Sequence, residues 1–236
     1  DQYEKLYADA KLWLNEGWID YWTPQLYWPI NRIPQSFPVL LGWWDQQNYK
    51  GRHFWPGISL SRKTGKEAAD EVINQIMITR GVLYDSPGIV HWNIGGFLKS
   101  EMLTKSVVEG PYRNKALVSA SPWLDKEPPT PPKVEVAVNG DSLQINWSHN
   151  DTADLFAYVI YTQYGEEWAY DIVGRQTQSG IRPGYIYKYD GAEPQRADGA
   201  EKIEDIVTPL NAIALTAVDK FGNESTLTQI NVSDKS

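Results

Sequence analysis

The sequence has no cysteine, two methionines and three histidines in 236 residues. Without cysteine there can be no disulfide, no thiolate metal site and no cysteine nucleophile. The histidines, His53, His91 and His149, are too scattered for a zinc triad to be read from their spacing. No apolar run approaches the roughly 18–20 residues of a membrane span, so no membrane insertion is expected. An excess of basic charge is lacking too: 22 Lys and Arg face 30 Asp and Glu, for a formal net charge of −8. Nucleic acid demands a basic footprint and an anionic membrane surface attracts the same charge. Neither is an expected partner. Gly65-Lys66 runs into Glu67 and has Leu60 where a P-loop needs its first glycine. No Gly-x-Ser-x-Gly elbow is present. The chain starts at Asp1 with no signal-peptide pattern, and is read as a mature or excised piece of a longer product.

What is abundant is aromatic. Phe, Trp and Tyr make up 13% of the chain, with 11 Trp and 14 Tyr. Nine of the Trp fall in residues 1–125, leaving only Trp147 and Trp168 beyond. Large flat rings fill cores, and they also stack on the apolar faces of ligands such as sugars. Charge divides at the same place. Residues 1–125 hold 13 basic and 13 acidic side chains, whereas residues 126–236 hold 9 and 17, so the second part carries the whole net charge.

A linker separates the two. Residues 125–132 contain four of the 15 prolines, and such a stretch is stiff, extended and non-helical. Before it, helical and strand patterns alternate. A helix over Tyr3–Glu16 is expected to stop at Gly17. A strand over Ile19–Trp28 follows, then a helix over Ser36–Tyr49 with Val39, Leu40, Trp43 and Trp44 facing in. The next strand, Arg52–Leu60, carries Phe54 and Ile58. Thr64-Gly65-Lys66-Glu67 fits a capping box for a helix to Arg80, with Ala69, Val72, Ile73 and Ile76 on one face. A short strand, Gly88–Trp92, and a helix, Phe97–Glu109, complete the series. Such alternation implies parallel strands joined by helices. Three parallel strands are a poor domain, since parallel sheets are normally covered on both faces. A (β/α)₈ barrel needs about 250 residues, so this half reads as the closing part of a barrel whose first strands are missing. After the linker, short alternating strands with turn signals at Asn139-Gly140 and Lys220–Asn223 predict a β-sandwich, with an irregular stretch over 165–205. The expected layout is 1–124 barrel part, 125–132 linker and 133–236 sandwich: α/β followed by all-β.

Motifs now carry a resemblance. The run Trp18-Ile19-Asp20-Tyr21-Trp22-Thr23-Pro24-Gln25-Leu26-Tyr27-Trp28 resembles a signature of the glycosyl hydrolase-like family 10 proteins. Trp43-Trp44, Gly57-Ile58-Ser59, Glu71…Gln75-Ile76…Arg80 and Tyr112…Ala116-Leu117…Pro122-Trp123 follow in the same order. The resemblance spans roughly residues 3–123. It implies the sixth to eighth strands of a (β/α)₈ glycoside hydrolase barrel, in a group of which some members act on bacterial cell-wall glycans. A looser similarity to chitinase-type barrels sets Gln25 and Tyr27 on the sixth strand, and Trp92 on the eighth, at sugar-facing positions. The second half resembles a fibronectin type III domain, on Trp147, Tyr158 and the ending Ala217–Ser225. It has Ile213 where a tyrosine corner would have its ring, so that corner is expected to be absent.

Barrel enzymes place their chemistry at the C-terminal ends of strands. Gln25 and Tyr27 share one face of theirs and are expected to bind sugar and orient a catalytic carboxylate. Trp28 could stack on a ring. Arg62 could take a carboxylate-bearing sugar or anchor an acidic residue. Trp92, with Asn93 and His91 beside it and Gly95-Gly96 following, is expected to floor a sugar pocket. Glycoside hydrolysis uses two carboxylates roughly 5–9.5 Å apart. Asp20 sits at the wrong end of its strand, Asp45 on a helix and Asp85 ahead of a strand, so the catalytic pair is expected upstream. The expected function is then the C-terminal portion of a glycoside hydrolase acting on a cell-wall or related amino-sugar glycan, inactive by itself and needing no cofactor and no metal. Its location would be secreted, periplasmic or cell-surface. Its open sheet edge would be covered by missing barrel strands or by a second copy. The alternative is a non-catalytic carbohydrate-binding or scaffolding protein. Tyr185, Tyr187 and Tyr189 alternate, with Trp168 and Tyr170 nearby, and offer a weaker sugar platform in the second half.

Overall fold

The computed structural model describes residues 2–60, 65–83, 85, 88–151, 153–188 and 206–232, with backbone alone at 187, 188 and 206. The chain divides into two compact units, residues 1–121 and 122–236. Among the described residues, no helix is long and apolar enough to cross a membrane.

The first unit begins with two short helices, α1 (Gln2–Leu6) and α2 (Ala10–Glu16), where the sequence suggested one. Tyr7 adopts φ 52° and breaks the run. Asp9 then caps α2, its carboxylate accepting from the Leu12 N–H. Gly17 ends α2 at φ 68°, the left-handed cap that favours glycine. The strands are short: β1 (Tyr21–Trp22), β2 (His53–Phe54), β3 (Gly57–Ser59) and β4 (Val90–Trp92). Between them lie α3 (Phe37–Asp45) and α4 (Gly65–Val82), and β4 leads into α5 (Ile94–Lys99) and α6 (Glu101–Glu109).

β1 pairs with β2 and β3 with β4, all in parallel, and Gln25 forms a parallel bridge to Gly57. Residues 53–59 are therefore the middle of an open three-stranded sheet. Pro56, which has no N–H to donate, interrupts that middle strand. Phe54, Ile58 and Leu60 point to one face with Leu26, where they pack on Phe37 and Leu41 of α3, Val72 and Ile76 of α4, and Leu103 and Val107 of α6. Helices thus cover one face of the sheet. The expected inward face of α3 is half right: Leu40 and Trp44 pack against the core, but Val39 and Trp43 are exposed and Phe37 and Leu41 are fully buried in their place. The single helix expected over 97–109 is two. Ser100 starts the second by accepting from the Leu103 N–H, and Gly95-Gly96 lie in the first. The cap expected at Thr64 lies outside the described residues.

The second unit is a β-sandwich. One sheet has β5 (Lys133–Asn139), β6 (Ser142–Ser148) and β9 (Ser179–Pro183) in the order β5-β6-β9. The other runs β8-β7-β11, from β7 (Leu155–Tyr164), β8 (Glu167–Gly174) and β11 (Ile206–Asp219). β10 (Tyr185–Lys188) and β12 (Thr228–Asn231) pair with successive parts of the long β11. All these pairings are antiparallel. Ile145 and Trp147 from one sheet meet Tyr158, Ile160, Ile213 and Leu215 from the other. The Trp147 and Tyr158 rings meet edge-on at 5.8 Å. Ile213 is fully buried in this core. The stretch expected to be irregular holds three strands, β8, β9 and β10.

Candidate functional site

The uncovered face of the parallel sheet follows from strand parity. Phe54 and Ile58 face the helices, so Trp55, Gly57 and Ser59 face the other way. Gly57 is paired with Val90 and Ser59 with Trp92. Gln25 bridges Gly57 from the opposite side. One surface therefore carries Tyr21, Gln25 and Tyr27, then Trp55 and Ser59, then Val90 and Trp92.

Trp92 is 55% exposed at the C-terminal end of β4, and its carbonyl accepts from the Leu60 N–H at 2.7 Å. Its peptide bond to Asn93 is cis. Gln25 is exposed, and Tyr27 and Trp28 are half-buried. Burial pushes the Tyr27 phenol above its ordinary value, so it stays protonated at neutral pH and can both donate and accept. Asn93 is exposed but partly engaged: its carboxamide oxygen accepts from the Gly95 N–H at 2.9 Å and caps α5. Arg62 and Ser61 lie outside the described residues.

His91 does not join Trp92. Alternation turns it to the helix face, where it packs edge-on against Phe97 and meets the Tyr112 hydroxyl at 2.7 Å through Nε2. Burial holds its imidazole down near about 4. The Tyr112 phenol is pushed up to about 12 by burial, against the opposing pull of the Arg80 guanidinium.

The carboxylates named from sequence are elsewhere. Asp20 sits at the start of the strand, its carbonyl accepting from the His53 N–H. Asp45 and Asp85 share a pocket of about 300 Å³ with Asn48 and Arg52, which precedes the strands rather than following them. Burial and the charge of Asp85 raise the Asp45 carboxyl. The sheet residues named on the open face include no carboxylate. Among the described residues, no group of three or more His, Cys, Asp or Glu could hold a metal ion.

Two features of the site had no role assigned to them from the sequence. Trp55 stacks on Tyr21 at 5.3 Å and on His53 at 4.9 Å, extending the aromatic surface toward the N-terminal ends of the strands. A Cβ on Gly88 would lie 2.1 Å from the Trp55 ring, so only glycine fits there. Parity with Phe54 would have found Trp55. The second feature is a polar anchor under the loop after β1. Gln75, buried on α4, donates to the Trp28 carbonyl at 3.1 Å and to Glu71, and Glu71 accepts from the Ile30 N–H at 2.9 Å. Its signal was a glutamine on an otherwise apolar helix face. In the second unit, Tyr185 lies on β10, the side chain of Tyr187 is not described, and Tyr189 is outside the described residues.

No protein-family model matches the chain. Among curated proteins it is 32% identical over 178 residues to the glycosyl hydrolase YngK of Bacillus subtilis, covering 70% of this chain and 34% of that protein. It is 43% identical over 42 residues to the glycosyl hydrolase DigH of Escherichia coli, covering 18% of this chain and 10% of that one. The chain thus spans about a third of the first relative and a tenth of the second. Among solved structures, the Clostridium perfringens spore cortex lytic enzyme SleM aligns over 83% of this chain and 74% of its own, at 14% identity and TM-score 0.31. The fn3 domain of the human collagen alpha-1(XX) chain aligns over 45% of this chain and 85% of its own, at 14% identity and TM-score 0.30. Superpositions this loose add nothing to the topology described above. By its sequence relatives the chain is glycosyl hydrolase-like.

Proposed function

We propose that the chain supplies one wall of the glycan cleft of a glycoside hydrolase, with its parallel strands serving as the last three of a (β/α)₈ barrel. The observation that carries this reading is the one-sided sheet. Helices bury one face, while the other presents Gln25, Tyr27, Ser59 and the half-exposed ring of Trp92 at the C-terminal ends of the strands. Parallel sheets are normally covered on both faces, and further barrel strands, or a second copy, would complete this one.

In this reading Trp92 and Trp28 stack on sugar rings, while Gln25, Tyr27 and Asn93 hydrogen-bond to hydroxyls or acetamido groups. Arg62 would suit a carboxylate-bearing sugar. Acid–base hydrolysis needs a carboxylate pair roughly 5–9.5 Å apart. Among the described residues the open face carries none, so hydrolysis would depend on carboxylates contributed from other strands, and this chain by itself would bind without cleaving. No cofactor enters such chemistry. A cell-wall or related amino-sugar glycan is the proposed substrate, on the family resemblance of the Trp18–Trp28 run, and that substrate would be met outside the cytoplasm.

The test is a nuclear magnetic resonance titration of the ¹⁵N-labelled chain with the β-1,4-linked hexamer of N-acetylglucosamine, following the Trp92 indole N–H. The resonance should move, and Trp92→Ala should weaken binding on this face about tenfold, the worth of one stacked ring. A Trp92 signal that stays still at millimolar sugar would remove the basis for the reading. A reducing-end assay on the same mixture should find no release. Sugar binding without release in a longer product that contains these residues would favour the non-catalytic alternative.

A further inference from the structure

The outer face of the larger sandwich sheet carries a trough that the proposed cleft does not use. Register decides what lines it. Tyr161 pairs with Ala214 on one side and Tyr170 on the other, Gln163 pairs with Trp168, and Ala214 pairs with Gln229. Cross-strand partners share a face. Trp168, Tyr170 and Tyr161 therefore stand with Ala214, Thr216 and Gln229, while Tyr158, Ile160, Ile213 and Leu215 point into the core. Ala214 and Thr216, both buried, form a low floor. Tyr161 and Trp168 rise on one side, Leu227 and Gln229 on the other, and Glu224–Thr226 complete the lining. The cavity measures about 670 Å³, within the usual size of a small-molecule site.

This lining is unusual for a solvent-facing sheet face, where polar side chains normally alternate with core residues. Trp168 is 47% exposed, Tyr170 46% and Leu227 56%. The polar groups are also arranged. Tyr161 donates its hydroxyl to Glu224 Oε1 at 2.7 Å, and Thr216 donates to the same oxygen. These bonds hold the carboxylate in place. Among the described residues its other oxygen, Oε2, accepts from no one, and the Trp168 indole N–H donates to no one. Burial and the charge of Glu224 push the Tyr161 phenol up to about 12, so its proton stays in place at neutral pH.

Charge narrows the occupant. Among the described residues the lining contains a carboxylate and no Lys or Arg, in the part of the chain that holds the whole net charge of −8. Phosphates, nucleic acids and acidic sugars are repelled. The remaining complement is an uncharged molecule with apolar faces for the rings, hydroxyls for the open carboxylate oxygen, and an acceptor for the indole. The trough is open along the sheet rather than closed like a cage, which suits an extended chain. We propose that it binds a neutral glycan, with sugar faces stacked on Trp168 and Tyr170 and a hydroxyl donated to Glu224. The ligand class draws also on the glycosyl hydrolase-like sequence, and so rests in part on the function proposed above. A second glycan site on one chain raises residence on a polymer through effective concentration.

The experiment uses the whole ¹⁵N-labelled chain, titrated separately with cellohexaose and with the N-acetylglucosamine hexamer. The Trp168 indole N–H and the Tyr170 amide should move with at least one of them. Trp168→Ala should weaken the Tyr170 response about tenfold, and Glu224→Gln should weaken it by a smaller factor, with wild-type amide spectra elsewhere. Should Trp168→Ala fail to fold, Glu224→Gln alone carries the test. The proposal is overturned if neither sugar moves Trp168 at millimolar concentration, or if neither variant changes the response. It is overturned too if tetramethylammonium moves Trp168 where the sugars do not, which would mark a cation site. The two readings separate by resonance: movement at Trp92 alone keeps the cleft and removes the trough, and movement at Trp168 alone does the reverse.

Discussion

The two units bury their cores by different means. The sandwich covers each of its sheets with the other, so Trp147, Tyr158 and Ile213 are enclosed entirely by strands. The first unit covers its sheet with helices on one face only, and leaves Tyr21, Val90 and Trp92 more than a third exposed on the other. An antiparallel sheet tolerates a wet face, whereas parallel strands are normally dry on both. The lesson is that an apolar open face means more in the first unit than in the second. There, on the function proposed above, it is a layer that further strands or a second copy would complete. In the sandwich it needs a more specific reason, and the trough at Trp168 is our candidate.

The comparison can be tested first at the cores. Trp147→Ala removes a ring packed edge-on against Tyr158 and should cost the sandwich about 3–5 kcal/mol, while Leu41→Ala should cost the first unit about 2–5 kcal/mol. Denaturant titration with tryptophan fluorescence and far-ultraviolet dichroism reads both. A cost under about 1 kcal/mol at either site would mean that core is not packed as described.

Acid should separate the units next. The two imidazoles that burial pushes down, His53 and His91, both belong to the first unit. An imidazole with a lowered folded pKa binds fewer protons folded than unfolded. Stability therefore rises with pH from about 4, where His91 is held, to its ordinary 6.5. Acidifying across that window should cost the first unit about 2–3 kcal/mol through His91. His91→Gln should flatten the dependence while keeping a partner for Tyr112. An unchanged pH slope in that variant would assign the effect elsewhere.

A smaller effect concerns the anchor beneath the open face. Gln75→Leu removes one donor from the Trp28 carbonyl and one from Glu71, which keeps the Ile30 N–H, and should cost about 1–3 kcal/mol. It should also broaden the Trp28 and Ile30 amide resonances. Sharp, unshifted signals there would show that the loop holds itself. The smallest effect belongs to the sandwich. Gly140 sits at φ 58° with open space where a Cβ would go, so Gly140→Ala should cost about 1 kcal/mol of backbone strain and nothing else. A larger loss in thermal unfolding would point to a contact of the β5–β6 turn that these residues do not show.

Much of this was legible along the chain. Gly17 as a helix stop, the strand residues Phe54 and Ile58 and the face of α4 follow from local spacing, while Trp147 and Tyr158 were paired by the fibronectin type III resemblance. Helix boundaries were less legible. Nothing in apolar period alone reveals that Tyr7 breaks a helix or that Ser100 restarts one, because caps are single polar side chains. The alternation of Tyr185 and Tyr187 signalled β10, but β8 and β9 were missed because half-exposed edge strands such as Glu167–Gly174 lack clean alternation. The candidate site was read in part: Gln25 and Trp92 lie on one surface, Asn93 is also a cap, His91 faces away, Trp55 was overlooked, and Glu71 and Gln75 were quoted as a motif without a role.

By itself, the sequence determined the change of pattern between its two parts, the proline-rich stretch over 125–132, the strand parities, and the lack of cysteine and of an excess of basic charge. Each of these is a property of neighbouring residues or of composition. Only the tertiary structure decided which parity faces helices and which stays open, that α3 buries Phe37 and Leu41 rather than Val39 and Trp43, and that Tyr161 and Thr216 clamp Glu224 beside Trp168. Alternation tells which residues share a face. Which face is covered depends on elements dozens of residues away, and that pairing is set by packing rather than by any local pattern.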